Sequence, residues 1–128
     1  MAYREKDYVS RQIAILARIL ARVLGLKEAG RLGEARAEIE RGAGSVLGLE
    51  YQTLERLDAR SVVALLRERE IVEAYVKLME TEADLLTDGD AALEAPGSHE
   101  RVRWLRERAA SLLAALPPTA SGPLDQGQ

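Results

Sequence analysis

The sequence predicts an all-α fold, and three observations carry that expectation. Apolar side chains recur at spacings of three and four residues in four long segments. Helix-stopping chemistry falls where those rhythms end, with Gly30 after the first segment and Pro117 with Pro118 after the last. A length of 128 residues, 47% of them hydrophobic, suffices for one domain with a buried core. The expected organisation is a single helical domain over residues 1–116 and a mobile tail over residues 117–128.

The first helix is expected from Asp7 to about Ala29, with Val9, Ile13, Leu16, Leu20 and Val23 as its apolar stripe. Tyr8, Ile15, Ile19 and Leu26 form a second apolar row beside it, leaving mainly Arg11, Arg18 and Arg22 for water. So wide an arc needs cover on two sides, which predicts a central helix or one buried partly in a homodimer. Gly30 suits a left-handed stop. Leu32, Ala35, Ile39, Ala43 and Val46 or Leu47 then mark a second helix, antiparallel to the first across a short turn. Gly42 and Gly44 cost that helix about 1 kcal/mol each relative to Ala, and close approach to helix one is the expected compensation.

Between Gly48 and Ser61 the pattern is short and broken, and Tyr51, Leu54 and Leu57 suggest a connector with a short helix and Thr53 or Asp58 as its cap. From Ser61 to about Leu86 a third long segment carries Val62, Leu65, Leu66, Val72, Val76, Met79, Ala83 and Leu86 near one side, with a bend expected around Arg67 to Glu70. Thr87 to Asp90, then Pro96 and Gly97, make the next break. Ser98 is the expected cap of the last helix, whose stripe is Val102, Leu105, Ala109, Leu112 and Leu116.

Composition excludes several classes of protein. With no cysteine there are no disulfides and no thiolate metal sites, and a reducing cytoplasm is the expected compartment. The run Ile13 to Leu26 is interrupted by Arg18 and Arg22, which argues against a signal peptide and a membrane span. Arginine outnumbers lysine fifteen to three among many Ala, Leu and Gly, which fits the coding bias of a GC-rich bacterium. Net charge is -3, unevenly spread: residues 1–31 hold seven basic and three acidic side chains, residues 50–95 five basic and twelve acidic. An acidic middle helix lying beside a basic first helix would satisfy that asymmetry, as would two solvated faces.

Each motif with a chemical precedent fails on context. Gly42 to Gly48 resembles a glycine-rich dinucleotide loop, but such a loop follows a strand and opens a helix, whereas Glu34 to Arg41 has the pattern of an amphipathic helix. Glu80, Glu82, Asp84, Asp88 and Asp90 lack the spacing of a calcium loop, and Glu73, Lys77, Glu80 and Asp84 share one helical face as a solvated, partly paired surface would. His99, beside Glu100, is the only histidine and has no second ligand or triad partner at hand. No serine has a motif to activate it. No catalytic, cofactor-binding or metal-ligating residue is therefore expected.

The most suggestive surface feature is Arg101, Trp104 and Arg108, one face of the last helix placed roughly opposite its apolar stripe, with Arg103 and Arg106 nearby. Two readings stand side by side. Arg and Trp are enriched at interaction hot spots, so this face could meet a partner. Equally, Trp104 could lie at the core edge with the arginine stems packed over it. A pI near 5.3 and a single basic helix argue against nucleic acid.

Glu28-Ala29-Gly30-Arg31-Leu32-Gly33-Glu34-Ala35, followed by Ile39 and Gly42, resembles the middle of a tetratricopeptide repeat. Glu82 to Leu86 with Gly89, Asp90, Val102 and Ala109 is a fainter echo carrying an insertion at Pro96 and Gly97. Lys6-Asp7-Tyr8-Val9, Arg11, Ile13, Leu24-Gly25-Leu26 and the segment Ala83 to Leu86 also resemble a small bacterial family of tetratricopeptide-like helical proteins of uncharacterised function. The resemblance spans most of residues 6–116 and implies helical hairpins and a scaffold role, with no catalytic residues to carry over. The function expected is a noncatalytic protein-interaction module whose partner is another protein, with a homodimer through helix one as a separate expectation. The alternative is a helical enzyme or small-ligand-binding bundle whose site is made of scattered residues. A third reading, helix one lying on a membrane surface, lacks the usual lysine-rich flank.

Overall fold

The computed structural model describes residues 2–88 and 97–118, and among them the protein is all-α. Four long helices, α1 (Ala2–Glu28), α2 (Leu32–Leu47), α5 (Arg69–Asp88) and α6 (Ser98–Ala115), are joined by two short ones, α3 (Tyr51–Glu55) and α4 (Ala59–Leu66). No helix of the described residues is long and apolar enough to cross a membrane. The expected tail lies outside the described residues from position 119 onward, as do the turn chemistry at Gly89 and Asp90 and the break at Pro96.

The turn between α1 and α2 follows from Gly30. Its φ of 77° is the left-handed conformation glycine adopts without a Cβ penalty. Arg31 N–H then donates to Leu26 O (2.9 Å) and Gly30 N–H to Lys27 O (3.0 Å), which satisfies the last carbonyls of α1 as a Schellman motif does. The turn folds α2 back along α1, where Leu16, Ile19 and Val23 meet Ala35, Ile39, Ala43 and Val46, all buried. Gly42 provides the close approach: a Cβ there would stand 2.8 Å from Ile19 Cδ1 and 2.9 Å from Ile19 Cγ1. Gly44 does not share that role. A Cβ at Gly44 would face the chain after α2, 3.4 Å from Leu49 O and 3.6 Å from Glu50 Cα.

The third long segment is two helices rather than one bent helix. Arg67 has φ 71° and ψ −43°, and Glu68 N–H donates to Leu66 O at 2.7 Å across it. That combination is a γ-turn of the strained, positive-φ kind, rare outside glycine. It redirects the chain so that Val62 and Leu66 of α4 and Ile71, Val72 and Tyr75 of α5 all enter the core.

The helix at the centre is α5, not α1. It packs against α1, α2, α4 and α6, and Val72, Tyr75, Leu78, Met79, Ala83 and Leu85 are buried. The second apolar row of α1 is covered only in part: Ile19 is buried, whereas Tyr8 is 53% and Ile15 37% exposed. The acidic middle helix thus does lie beside the basic first one. In α6, Leu105, Ala109 and Leu112 are buried as the stripe requires. Its N-cap is Gly97, with φ 82°, and Ser98 is the buried first residue of the helix rather than its cap. Asp58 does sit at the N-cap of α4, where its carboxylate accepts from the Ser61 hydroxyl.

Candidate functional site

Arg101 and Arg108 flank the apolar stripe of α6 rather than opposing it. Arg101 precedes the buried Leu105 by one turn and Arg108 follows it by three residues, so both point along the edge of the buried face. Their guanidiniums have internal partners. Arg101 donates from Nη1 and Nη2 to the two carboxylate oxygens of Glu55 (2.8 and 2.6 Å). It also donates from Nε to Glu82 Oε2 (3.0 Å) and from Nη2 to Glu82 Oε1 (3.1 Å). Arg108 Nη2 donates to Leu54 O at 2.8 Å and also to Leu57 O, which caps the C-terminal end of α3. Between them lies half-buried Trp104, its ring centre 5.3 Å from the Arg101 guanidinium carbon and 5.7 Å from that of Arg108. The trio expected as a partner-binding face thus makes contacts within the fold and stays partly exposed, with Trp104 packed against the core and the arginines over its ring.

The centre of this junction is Glu82, only 2% exposed. Besides the two bonds from Arg101, it accepts from Arg36 Nη2 at Oε2 (3.1 Å) and from the Tyr51 hydroxyl at Oε1 (3.1 Å). A carboxylate offers about four lone-pair sites. All are taken here, so Glu82 is saturated as an acceptor and joins α2, α3, α5 and α6 at one point. The sequence places Glu82 in an acidic gathering. Its register was the signal that mattered: it stands four residues after Leu78 and three and four before Leu85 and Leu86, inside the apolar face of α5.

The environment sets the charge states. Burial and the nearby Glu82 carboxylate hold the Tyr51 phenol well above its usual range. Burial pushes Tyr75 up to about 12. The Arg101 guanidinium is held more firmly protonated by the Glu55 carboxylate and then by Glu82. The two tyrosines meet edge to face with ring centres 5.8 Å apart, but their hydroxyls differ. Tyr51 donates to Glu82, while the buried Tyr75 oxygen has no partner among the described residues.

The remaining candidates disperse. Asp84 is half-exposed and pairs with Arg106 at 3.1 Å. Glu80 lies at the surface edge of α5, and Asp90 lies outside the described residues. Among the described residues no three His, Asp or Glu side chains converge as metal ligands would. His99 and Glu100 are exposed in the first turn of α6, and Gly42 to Leu47 lies within α2, where no strand precedes it. Among the described residues, open depressions border α2. One, of about 370 Å³, is lined by Glu40, Arg41, Gly44, Ser45 and Tyr51. Another, of about 450 Å³, is lined by Arg22, Leu26, Arg31, Glu38 and Arg41.

Among the described residues, the side of α1 turned away from α2 and α5 stands largely uncovered. Tyr8, Ile15 and Leu24 (44%) are three of the five large hydrophobic side chains left exposed among the described residues. Arg11, Arg18 and Arg22 are exposed with them, as are the small residues Ala14, Ala17, Ala21 and Gly25. Arg22 reaches Glu38 only at 3.7 Å, with its own side chain 72% exposed. Comparison with family models, with curated proteins and with solved structures found no match to the chain.

Proposed function

We propose that this chain is a noncatalytic protein-interaction or scaffold module of the bacterial cytoplasm, built from two tetratricopeptide-like hairpins, α1–α2 and α5–α6. The observation that carries the reading is the uncovered side of α1: apolar and cationic side chains stand exposed there, while the charged junction around Glu82 is saturated by its own neighbours. The repeat-like arrangement is supported by α5, which lies against both helices of the first hairpin. Successive repeat units share faces in the same way. The segment α3–α4 is then an insertion between the hairpins, held by the arginines of α6.

Affinity capture with the full chain, tagged at one end and then at the other, tests the proposal. Both forms are expected to retain the same discrete proteins from the native host. Should neither retain any, and a metabolite screen by thermal shift yield a stabiliser, the ligand-binding or enzymatic bundle replaces it. A homodimer along α1 has the exposed Tyr8, Ile15 and Leu24 in its favour and like charge against it. A dimeric mass in solution scattering at micromolar concentration would establish it.

A further inference from the structure

We infer that the uncovered side of α1 is a docking surface for an acidic amphipathic helix of another protein, an inference that rests on the interaction-module reading and gives its partner a chemistry. Residues 8–27 contain no Asp or Glu, yet they hold Arg11, Arg18, Arg22 and Lys27. That is twenty residues, or about 30 Å of helix at 1.5 Å per residue, with cationic charge only. Arg11, Arg18 and Arg22 are all exposed and follow one another at spacings of seven and four, so they form one ridge along the helix. A facing helix with acidic side chains at the same spacing would meet all three.

The shape beside the ridge favours a helix as the occupant. Ala14, Ala21 and Gly25 lie next to it and are exposed, and a Cβ at Gly25 would meet nothing within 4 Å. Small side chains let a second helix come to the near end of the usual interaxial range of about 8–10 Å. Tyr8 and Ile15 offer apolar contact along one edge of this surface. Leu24 lies nine residues from Ile15, which is about two and a half turns, so it stands on the opposite edge.

That placement separates the inference from its rivals. Ile15 and Leu24 cannot enter a bilayer together when the arginine ridge lies between them, so α1 does not make a lipid-facing side. A second copy packed α1 against α1 would set cationic ridges against each other over the same twenty residues, and like charges placed across an interface oppose binding.

The test uses the full chain in its native host, carrying the photoreactive residue benzoylphenylalanine in place of Ala14, or in place of the exposed Leu65 on α4. Mass spectrometry maps the segment joined to position 14. The expected result is a net-acidic segment with helical spacing of its apolar residues. Its yield should fall by more than about tenfold in the Arg11→Glu/Arg18→Glu variant, because like charge now faces like, while the circular dichroism and melting temperature stay those of the parent. An adduct at position 14 with lipid, with nucleic acid, with a second copy, or with a neutral or basic segment overturns the inference. So does the absence of any adduct at that position. Adducts confined to position 65 would overturn it while leaving the interaction module standing, whereas adducts at neither position, with no protein retained by affinity capture, would remove both.

Discussion

The α1–α2 hairpin and the seat of α3 are held by opposite means. The hairpin interface is apolar: Leu16, Ile19 and Val23 lie against Ala35, Ile39 and Ala43, and Gln12 Nε2 to Val46 O is a polar bond at its edge. The five-residue α3 has too little apolar surface to find its own place, and only Tyr51 and Leu54 are buried. Polar groups do the placing: Tyr51 on Glu82, Glu55 on Arg101, and the Leu54 carbonyl on Arg108. Hydrophobic burial stabilises a long helix in proportion to area but is not directional. Hydrogen-bonded charge adds little net stability, yet it penalises every arrangement that leaves a member unpaired.

The largest expected effect comes from breaking the polar seat at its centre. Glu82→Ala leaves the half-exposed Arg36 guanidinium and the buried Tyr51 hydroxyl without this acceptor and deprives Arg101 of one of its two carboxylates. The expected loss is about 3–5 kcal/mol of unfolding free energy, typical of a buried pair stripped of one member. Glu55→Ala should cost only about 1 kcal/mol, because Arg101 and Glu55 are both partly exposed and Arg101 keeps Glu82. Urea denaturation of both variants tests the contrast, and equal losses would show that Glu82 is not the keystone.

Tyr51 and Tyr75 divide next. Tyr51→Phe removes a hydrogen bond to a charged group and should cost about 1.5–3 kcal/mol. Tyr75→Phe removes a buried hydroxyl that has no partner among the described residues, and should be neutral or stabilising by about 1 kcal/mol. Both phenols have pKa values raised above the usual 10. The folded state therefore holds these protons more tightly than the unfolded chain does, and stability keeps its full value below pH 10, where both phenols are neutral. It is lost as pH rises through 10 toward the Tyr75 value of about 12. Melting temperature should fall steeply over that window in the parent protein and less steeply in the double Phe variant.

The apolar hairpin is sharpened by its glycines, where the sequence was legible in part. Helical stripes and the Gly30 stop follow from spacing and φ preference, and they predict α1, α2 and their turn. Spacing also singles out Gly42 and Gly44 as costly, but it does not reveal what each one faces. Gly42→Ala forces a Cβ against Ile19. Overpacking of about 1–3 kcal/mol set against about 1 kcal/mol of regained helix propensity leaves a net loss near 1 kcal/mol. In an Ile19→Ala background the same substitution should become stabilising. Gly44→Ala meets only ordinary contacts and should stabilise by up to about 1 kcal/mol without any second change. Opposite signs at two glycines two residues apart, read by thermal or urea unfolding, would confirm that only Gly42 serves the hairpin. Glu82 and the seat of α3 were less legible because their partners are 19 to 54 residues distant in the chain, and periodicity reports only which side of a helix is buried.

The junction of α4 with α5 shows the same limit in the backbone. The sequence predicts a bend around Arg67 to Glu70 but not a full break: Leu66-Arg67-Glu68-Arg69 holds no Gly or Pro, and each residue is compatible with a helix. The turn exists because Val62 and Leu66 on one side and Ile71, Val72 and Tyr75 on the other cannot all reach the core from a single axis, so packing overrides local preference and leaves Arg67 at φ 71°. A non-glycine residue in such a conformation stores about 1–3 kcal/mol. Arg67→Gly releases that strain but adds about 0.5–1 kcal/mol of conformational freedom to the unfolded chain. The net expectation is a stabilisation of up to about 1 kcal/mol. Arg67→Ala keeps the Cβ and hence the strain, and it removes only an exposed guanidinium, so it should stay within about 0.5 kcal/mol of the parent. Urea unfolding of the pair isolates the backbone: a gain for Gly alone locates the strain in the turn, whereas equal values for Gly and Ala would mean that α4 and α5 meet there without any.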